Sequence, residues 1–302
     1  MKKRILALGL TVALAAASLA ACGGASTKTT EKKAEAGTEQ GSEKATEAAK
    51  EEKADAGELR TYKLGVNGSD HEEWEKANEL LAKDNIKLEM VEFSDYVKPN
   101  EALEDGEIDL NAFQTEIYFN NFVKERGYTD LGILAYTQVA PMGIYSSKYK
   151  SLDEATGHLI IAIPNDVTNG GRALKFLEKN GFLTLKKEAG LTPTVMDIEK
   201  YNKDVEIVEM VATQIPASLP DLSFACINNG VAKDAGLTLK NDAIVYEDYK
   251  EPDMKNYWNI IAAKKDRIES EDFQKIKKAY NSDEVKQVVL EHYDGQSIPV
   301  WD

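Results

Sequence analysis

The sequence is poor in the side chains that most often do chemistry, with two cysteines and three histidines in 302 residues. Two cysteines are too few for a disulfide framework, and Cys226, inside the apolar run Leu222 to Ile227, reads as a buried small hydrophobe. His71, His158 and His292 are far apart in the chain and none has HExxH spacing. No lysine follows the glycines as in a phosphate loop, and no GxSxG elbow occurs. Carboxylate pairs such as Glu72 with Glu73 and Glu271 with Asp272 fall on helices whose other face is apolar, and so read as solvated surface. The residues nominate no catalytic group, no cofactor and no metal ligands. Cationic residues are also in deficit, 37 Lys and Arg against 52 Asp and Glu, a formal charge of −15. Residues 58–302 alone carry −16. Such a body repels phosphates over most approach directions, which disfavours nucleic acid and anionic membrane surfaces as partners, although solubility accounts for the charge equally well.

Long apolar runs are missing too, apart from one at the start of the chain. Met1 to Ala21 combines a basic start (Lys2, Lys3, Arg4), an apolar stretch from Ile5 and small residues, the pattern of a secretion signal. The stretch is short for a transmembrane helix. Leu19-Ala20-Ala21-Cys22 resembles the lipobox of bacterial lipoproteins. That resemblance implies cleavage before Cys22 and acylation of its thiol, a lipid anchor worth about 0.8 kcal/mol per buried methylene. Residues 23–57 contain no aromatic and no Val, Ile or Leu. They can build no core and are expected to form a polar tether with a reach of roughly 30 to 35 Å if the chain is a flexible coil.

The folded body begins near Glu58. Hydrophobic periodicity predicts strands at Tyr62–Val66 and Ile86–Phe93 around a helix at Asp70–Lys83, a strand, helix, strand order that marks a parallel sheet. A short helix follows at Glu101–Asp105, then the Ile108–Phe113 stretch and a helix at Glu116–Arg126. After Pro141 come a strand at Gly143–Tyr145, a helix starting near Ser151, a strand at Leu159–Ile163 and a helix after Arg172. Val205–Met210, Leu222–Ile227, Ala243–Tyr246 and Trp258–Ala263 read as strands, and Ser270–Tyr280 and Ser282–Tyr293 as closing helices. Two α/β halves with a trailing strand and helices fit a bilobal protein whose C-terminus returns to the first lobe. One large doubly wound sheet fits the same order of elements.

Asn165 to Leu174, NDVTNGGRAL, joins a predicted strand to a predicted helix. Gly170 and Gly171 let a group approach the backbone, the helix start favours an anion and Arg172 adds a forked donor, so the turn suits a carboxylate or phosphate. An ordinary strand-to-helix turn with a solvated Arg172 is the alternative. Other residues share a topological position, the C-terminal ends of strands, where parallel sheets present ligand sites. Phe93 and Tyr96 follow one strand, and Phe113 follows another, with Tyr118 on the next helix. Asn228 and Asn229 follow Leu222–Ile227. Singly, each aromatic reads as core. Jointly, with Arg172 and an asparagine opposite, they describe a cleft apolar at one end and zwitterion-binding at the other.

Several motifs extend this pattern. FSDY at Phe93–Tyr96, PNEAL at Pro99–Leu103, NAFQ at Asn111–Gln114, AIPND and GRAL around Arg172, LTPTV at Leu191–Val195 and the AxIN at Ala225–Asn228 are collinear over about Tyr62 to Asp302. Together they resemble the NlpA/MetQ lipoproteins, the binding proteins of methionine ABC importers. The resemblance implies a type II periplasmic-binding fold, two α/β lobes joined by two crossover segments. Lobe 1 would comprise residues 58–138 and 255–302, and lobe 2 residues 139–254. It implies Arg172 gripping an α-carboxylate, Asn228 on the amino-acid head group, and Tyr96, Phe113 and Tyr118 lining the side-chain pocket, with Phe93, Thr115, Asn169 and Asn229 beside them. Two departures stand out. The family's FQHxPY has Thr115 for its histidine and Ile117 for its proline, and its DPTNQGR reads Asp166 to Arg172 with Gly170 in place of glutamine. Both fall on side-chain selection and leave head-group recognition intact.

The reading implied is a monomeric lipoprotein, anchored through Cys22 on the extracytoplasmic face of a bacterial membrane. It would capture an amino acid, methionine foremost, for a permease with a separate ATPase. A different neutral amino acid or a short methionine-containing peptide is the nearest alternative, motivated by Thr115. An enzyme on a two-lobed α/β scaffold and a surface interaction protein stand further off.

Overall fold

In a computed structural model, which describes residues 57–301, strand β1 (Arg60–Asn67) is followed by helix α1 (Glu72–Leu81) and strand β2 (Ile86–Phe93). The signal segment, Cys22 and the tether to residue 56 lie outside the described residues. β1 and β2 pair in parallel from Arg60 opposite Ile86 to Asn67 opposite Phe93, so both strands deliver their last residues to one edge. α1 buries Trp74, Ala77 and Leu81, one face of a 3.6-residue period, and its first turn carries Glu72, Glu73 and Glu75, where the helix dipole favours acids. Helix α2 (Lys98–Asp105), the short strand β3 (Leu110–Asn111), helix α3 (Glu116–Arg126) and strand β4 (Leu131–Val139) complete the first pass.

The chain then leaves this sheet. Strands β5 (Gly143–Tyr145) and β6 (Leu159–Pro164), helix α4 (Val167–Lys179), the pair β7 (Leu183–Leu185) and β8 (Ile198–Tyr201), and strand β9 (Val205–Met210) come next. Helix α5 (Ile215–Ser218), strand β10 (Phe224–Ile227), helix α6 (Asn229–Asp234) and strand β11 (Ala243–Tyr246) finish the second unit. The chain rejoins the first sheet in β12 (Trp258–Lys264) and ends with helices α7 (Lys265–Ile268), α8 (Glu271–Tyr280) and α9 (Asp283–His292) and strand β13 (Ile298–Pro299).

Two main sheets result. One has the order β13-β4-β12-β3-β1-β2 and the other β11-β5-β10-β6-β9, with β7-β8 as a small antiparallel pair. Two connections join them, after Val139 and before Trp258. This is a bilobal α/β fold with the C-terminal strand and helices returned to the first lobe. In β12, Ile260 and Ala262 pack with Leu103 and Phe119 on one face, while Ile261 and Ala263 pack with Trp74 and Phe273 on the other. Covered on both faces, β12 reads as a continuous apolar run rather than an alternating one.

The structure revises several expectations. β4, nine residues long and second from the edge of the first sheet, was not predicted. No helix forms near Ser151, where the chain makes bends. Helix α4 begins at Val167, five residues before Arg172, so Gly170, Gly171 and Arg172 are helical. A β-carbon on Gly170 would lie 2.7 Å from the Pro164 carbonyl oxygen, and one on Gly171 would lie 2.8 Å from Thr192 Cα. What these glycines admit is the protein's own backbone.

Candidate binding site

The wall from the first lobe is built on a buried amide network. Asn100 and Gln114 exchange two hydrogen bonds of 2.7 Å, Gln114 Nε2 also donates to Asn111 Oδ1 at 2.8 Å, and Asn111 Nδ2 donates to Asn100 Oδ1 at 2.9 Å and to the Pro99 carbonyl at 3.1 Å. Each group is satisfied, which ties the start of α2 to the loop after β3 and sets the orientation of Phe113 between Asn111 and Gln114. Phe113, Tyr96 and Tyr118 form a triangle with ring centroids 6.0 to 6.2 Å apart, within the range for favourable aromatic contacts. Tyr118 donates its hydroxyl to the Tyr96 carbonyl at 2.8 Å. Burial pushes the Tyr96 and Tyr118 phenols well above their usual range, so both are neutral at physiological pH. Thr115 caps α3, its hydroxyl accepting from Tyr118 N–H.

The second lobe contributes α4 and the end of β10. Asp166 caps α4, accepting from Asn169 N–H at 2.8 Å, so the helix N-terminus that could receive an external anion already holds a carboxylate. Arg172, 3% exposed, points its forked edge at Glu247: Nε donates to both carboxylate oxygens at 3.0 and 3.1 Å and Nη2 donates to Oε2 at 2.5 Å. Nη2 also donates to the Ala140 carbonyl at 2.9 Å, and the guanidinium lies 4.3 Å from the centre of the Tyr257 ring. Nη1 makes no hydrogen bond among the described residues and is the one donor of this side chain left unused. A relay sets the neighbouring polarity. Asn169 Nδ2 donates to both Asp166 oxygens, which orients its Oδ1 to accept from Asn228 Nδ2 at 2.8 Å. Asn228 Oδ1 is thereby presented as a buried acceptor with no partner among the described residues.

These groups line one cavity of about 630 Å³ between the lobes. Phe93, Tyr96, Phe113, Thr115, Tyr118, Asn169, Arg172, Asn228 and Asn229 all line it. Among the further linings that sequence reasoning missed, Asn67, Glu73 and Gln138 bring buried polar groups. Asn67 donates to the Phe93 and Asp95 carbonyls and keeps an unpartnered Oδ1. Glu73 is 5% exposed rather than solvated, and accepts from the Tyr293 hydroxyl at 3.2 Å. Gln138 lies beside the same hydroxyl and has a buried, unpartnered Oε1. Asn67 was legible as the polar residue ending a strand at the ligand-facing edge. Glu73 and Gln138 carried no local signal.

The lobes meet at the cavity rim. Lys233 of α6 pairs with Asp70 at 2.9 Å and lies 2.7 Å from His292 Nε2, and Asn229 reaches the Gln296 carbonyl at 3.3 Å. Folding brings His292 within 2.9 Å of both Asp70 and Glu72, a grouping hidden by their separation in sequence, and the Lys233 ammonium supplies its cation. Cys226 is fully buried and its thiol is pushed well above its usual range by burial, which removes it as a nucleophile.

Two α/β lobes, two connections and a cavity between an aromatic and a polar wall define a type II periplasmic-binding fold. The chain belongs to the NlpA lipoprotein family, whose pattern it matches over residues 62–301. It is 40% identical over 243 residues to the D-methionine-binding lipoprotein MetQ of Escherichia coli strain K12, covering 79% of this chain and 88% of that one. Among solved structures, it is similar to a nutrient binding protein from Burkholderia cenocepacia bound to methionine, with 35% identity, a TM-score of 0.75 and coverage of 80% and 100%. The substrate binding protein of a methionine transporter from Streptococcus pneumoniae shares 38% identity at a TM-score of 0.75, covering 80% and 96%. No helix among the described residues is long and apolar enough to cross a membrane.

Proposed function

We propose that this protein is the substrate-binding lipoprotein of a methionine ABC importer, held at the extracytoplasmic face of the membrane through Cys22, acting as a monomer and making or breaking no bond. The observation that carries the reading is a single cavity that sets the aromatic triangle of Tyr96, Phe113 and Tyr118 opposite the free Arg172 Nη1 and the unpartnered Asn228 Oδ1. A relative of 35% identity and full coverage of its own length was solved bound to methionine. In this reading Nη1 donates to the ligand carboxylate and Asn228 Oδ1 accepts from its ammonium. Burying the thioether side chain against the rings contributes about 1.5 to 3 kcal/mol, and sulfur against aromatic edges adds to it. Residues 58–138 with 255–302 and residues 139–254 act as two bodies that close when a ligand bridges them. The permease, driven by a separate ATPase, then distinguishes loaded from empty protein by shape.

Calorimetric titration with both methionine enantiomers and a panel of neutral amino acids tests this. Methionine is expected to bind most tightly and to be recovered chemically unchanged. A tighter complex with another amino acid in the panel, or turnover of methionine, would overturn the reading.

A further inference from the structure

At the rim, three groups of the first lobe meet one cation from the second. Asp70 and Glu72 flank the start of α1, His292 ends α9, and one ligand-type atom from each lies within 4.8 Å of the others. Glu72 Oε2 is 2.9 Å from His292 Nδ1. A carboxylate only accepts, so Nδ1 carries the ring proton. On the other side of the ring, Nε2 and Asp70 Oδ2 lie 2.9 Å apart and converge on the Lys233 ammonium, 2.7 Å from Nε2 and 2.9 Å from Oδ2. An ammonium only donates, so Nε2 turns a lone pair toward it. This is the arrangement of a histidine ligand, the carboxylate that fixes its tautomer and a second ligating oxygen, around a point that already attracts a positive charge.

The three groups belong to one lobe, whereas Lys233 comes from α6 of the other and lies 3.9 Å from the centre of the Tyr293 ring. When the lobes part, the imidazole and both carboxylates lose that cation. A nitrogen with carboxylate oxygens suits a borderline transition ion such as zinc, whereas magnesium and calcium take oxygen ligands. Zinc on Nε2 would lie about 2.0 to 2.1 Å from it, in the space the ammonium fills. The lobes leave no room for both, since two residues before Asp70 a β-carbon on Gly68 would lie 2.5 Å from Asp234 Oδ1 of α6.

We propose that Asp70, Glu72 and His292 form a site for a divalent transition ion, with His292 Nε2 and Asp70 as ligands and Glu72 holding the ring, and that the ion and Lys233 exclude one another. The ion holds the lobes apart and so opposes methionine. The metal site stands on its own geometry, and its opposition to methionine rests on the closing of the lobes described under the methionine reading.

Calorimetry on the untagged, chelator-treated full-length lipoprotein in detergent tests both parts, with zinc chloride alone and with methionine in the absence and presence of zinc. Zinc is expected to bind once per chain, and His292→Gln and Glu72→Gln to bind it at least about tenfold more weakly. Lys233→Met, which removes the competing ammonium and no ligand, should bind zinc at least as tightly as the unaltered protein. With zinc at about ten times its Kd, methionine is expected to bind about three- to tenfold more weakly, the range that exclusive binding allows. The same zinc should change methionine affinity less than about twofold in His292→Gln, a comparison in which zinc binding to free methionine cancels. Thermal unfolding of each variant separates a lost ligand from a lost fold. No saturable zinc binding, or the same zinc affinity in His292→Gln, would mean an adventitious ion only and overturn the site. Zinc binding that depends on His292 but leaves methionine affinity unchanged would overturn the exclusion of Lys233, as would weaker zinc binding in Lys233→Met. Failure of methionine to bind in the absence of zinc would overturn the methionine reading, while the zinc titration would still decide the metal site.

Discussion

Replacing Arg172 alone would disturb two things at once, because the side chain whose Nη1 is proposed to meet the ligand also neutralises Glu247. The Glu247 carboxylate accepts from Arg172 Nε and Nη2 and from the Met142 N–H at 2.7 Å, all in a buried setting. Arg172→Met leaves that carboxylate uncompensated, and breaking a buried pair in this way costs about 3 to 5 kcal/mol. For a body of this size each kcal/mol lowers Tm by roughly 2 to 4 °C, so the single variant should melt about 6 to 20 °C lower. Loss of ligand binding in that variant would therefore say little about the head group.

The double variant Arg172→Met with Glu247→Leu separates the effects. Exchanging a buried ion pair for apolar side chains is often neutral or stabilising by about 1 to 4 kcal/mol. Against this stands the orphaned Met142 N–H, at about 1 to 3 kcal/mol. The two nearly cancel, so the double variant should melt within a few degrees of the unaltered protein, roughly. It should still fail to bind methionine, because Nη1, the donor proposed for the carboxylate, is gone. Scanning calorimetry gives Tm and isothermal titration gives affinity. Methionine binding of undiminished affinity in the well-folded double variant would refute Arg172 as a ligand contact. An unchanged Tm in the single variant would refute the energetic role of the pair.

Tyr118→Ala removes one ring from the aromatic triangle together with the hydrogen bond to the Tyr96 carbonyl. It is expected to weaken methionine binding by about tenfold or more and to flatten the preference among apolar amino acids, measured by titration across a panel. Glu73 carries a pH signature. Burial raises its carboxyl above the usual 4.5, with smaller opposing effects from its own backbone N–H and the Tyr293 hydroxyl. The folded state thus binds this proton more tightly than the unfolded chain does. The stability linked to it is fully present below about 4.5 and is lost as pH rises through the higher folded-state value. Glu73→Gln should therefore gain on the unaltered protein as pH rises from 4 toward 7, roughly, in Tm measured at matched pH. A difference in Tm that stays constant over this range would contradict the assignment.

Much of the fold could be read from local pattern, because most of its strands and long helices are bounded by turns and keep one period throughout. β2, α3, β5, β9 and β11 have the ends their sequences predict. β4 escaped for a physical reason. It is covered on both faces, and its pairing with β12 shifts register between Ile261 and Ala262 and again between Trp258 and Ile260, so its apolar residues follow neither clean alternation nor a helical period. The site divides similarly. Residues that reach the cavity from strand ends were visible as a topological set, which is how Phe93, Phe113 and Asn228 were found. Residues whose role depends on a distant partner were not. Nothing around Arg172 indicates Glu247, 75 positions away, and nothing in Glu72-Glu73 indicates that the end of α9 will cover the second acid with Tyr293.

Those distant partners also explain how the cleft acquires its polarity before any ligand arrives. A carboxylate can only accept, so Asp166 forces Asn169 to present its amide nitrogen, Asn169 then accepts from the Asn228 nitrogen, and only an oxygen is left to face the cavity. Glu73 likewise accepts from the Tyr293 hydroxyl, and Gln138 beside it also keeps a free oxygen. Glu247 holds the Arg172 fork so that Nη1 alone is left without a partner. In the second lobe, Asp166 and Glu247, carboxylates outside the cavity lining, fix the donor and acceptor sense of Asn228 and Arg172. An amide on a free rotor could turn to suit either end of a zwitterion and would discriminate weakly. An amide locked by a charge has one answer, so under the proposed reading the orientation of the ligand is selected by Asp166 and Glu247, which do not line the cavity.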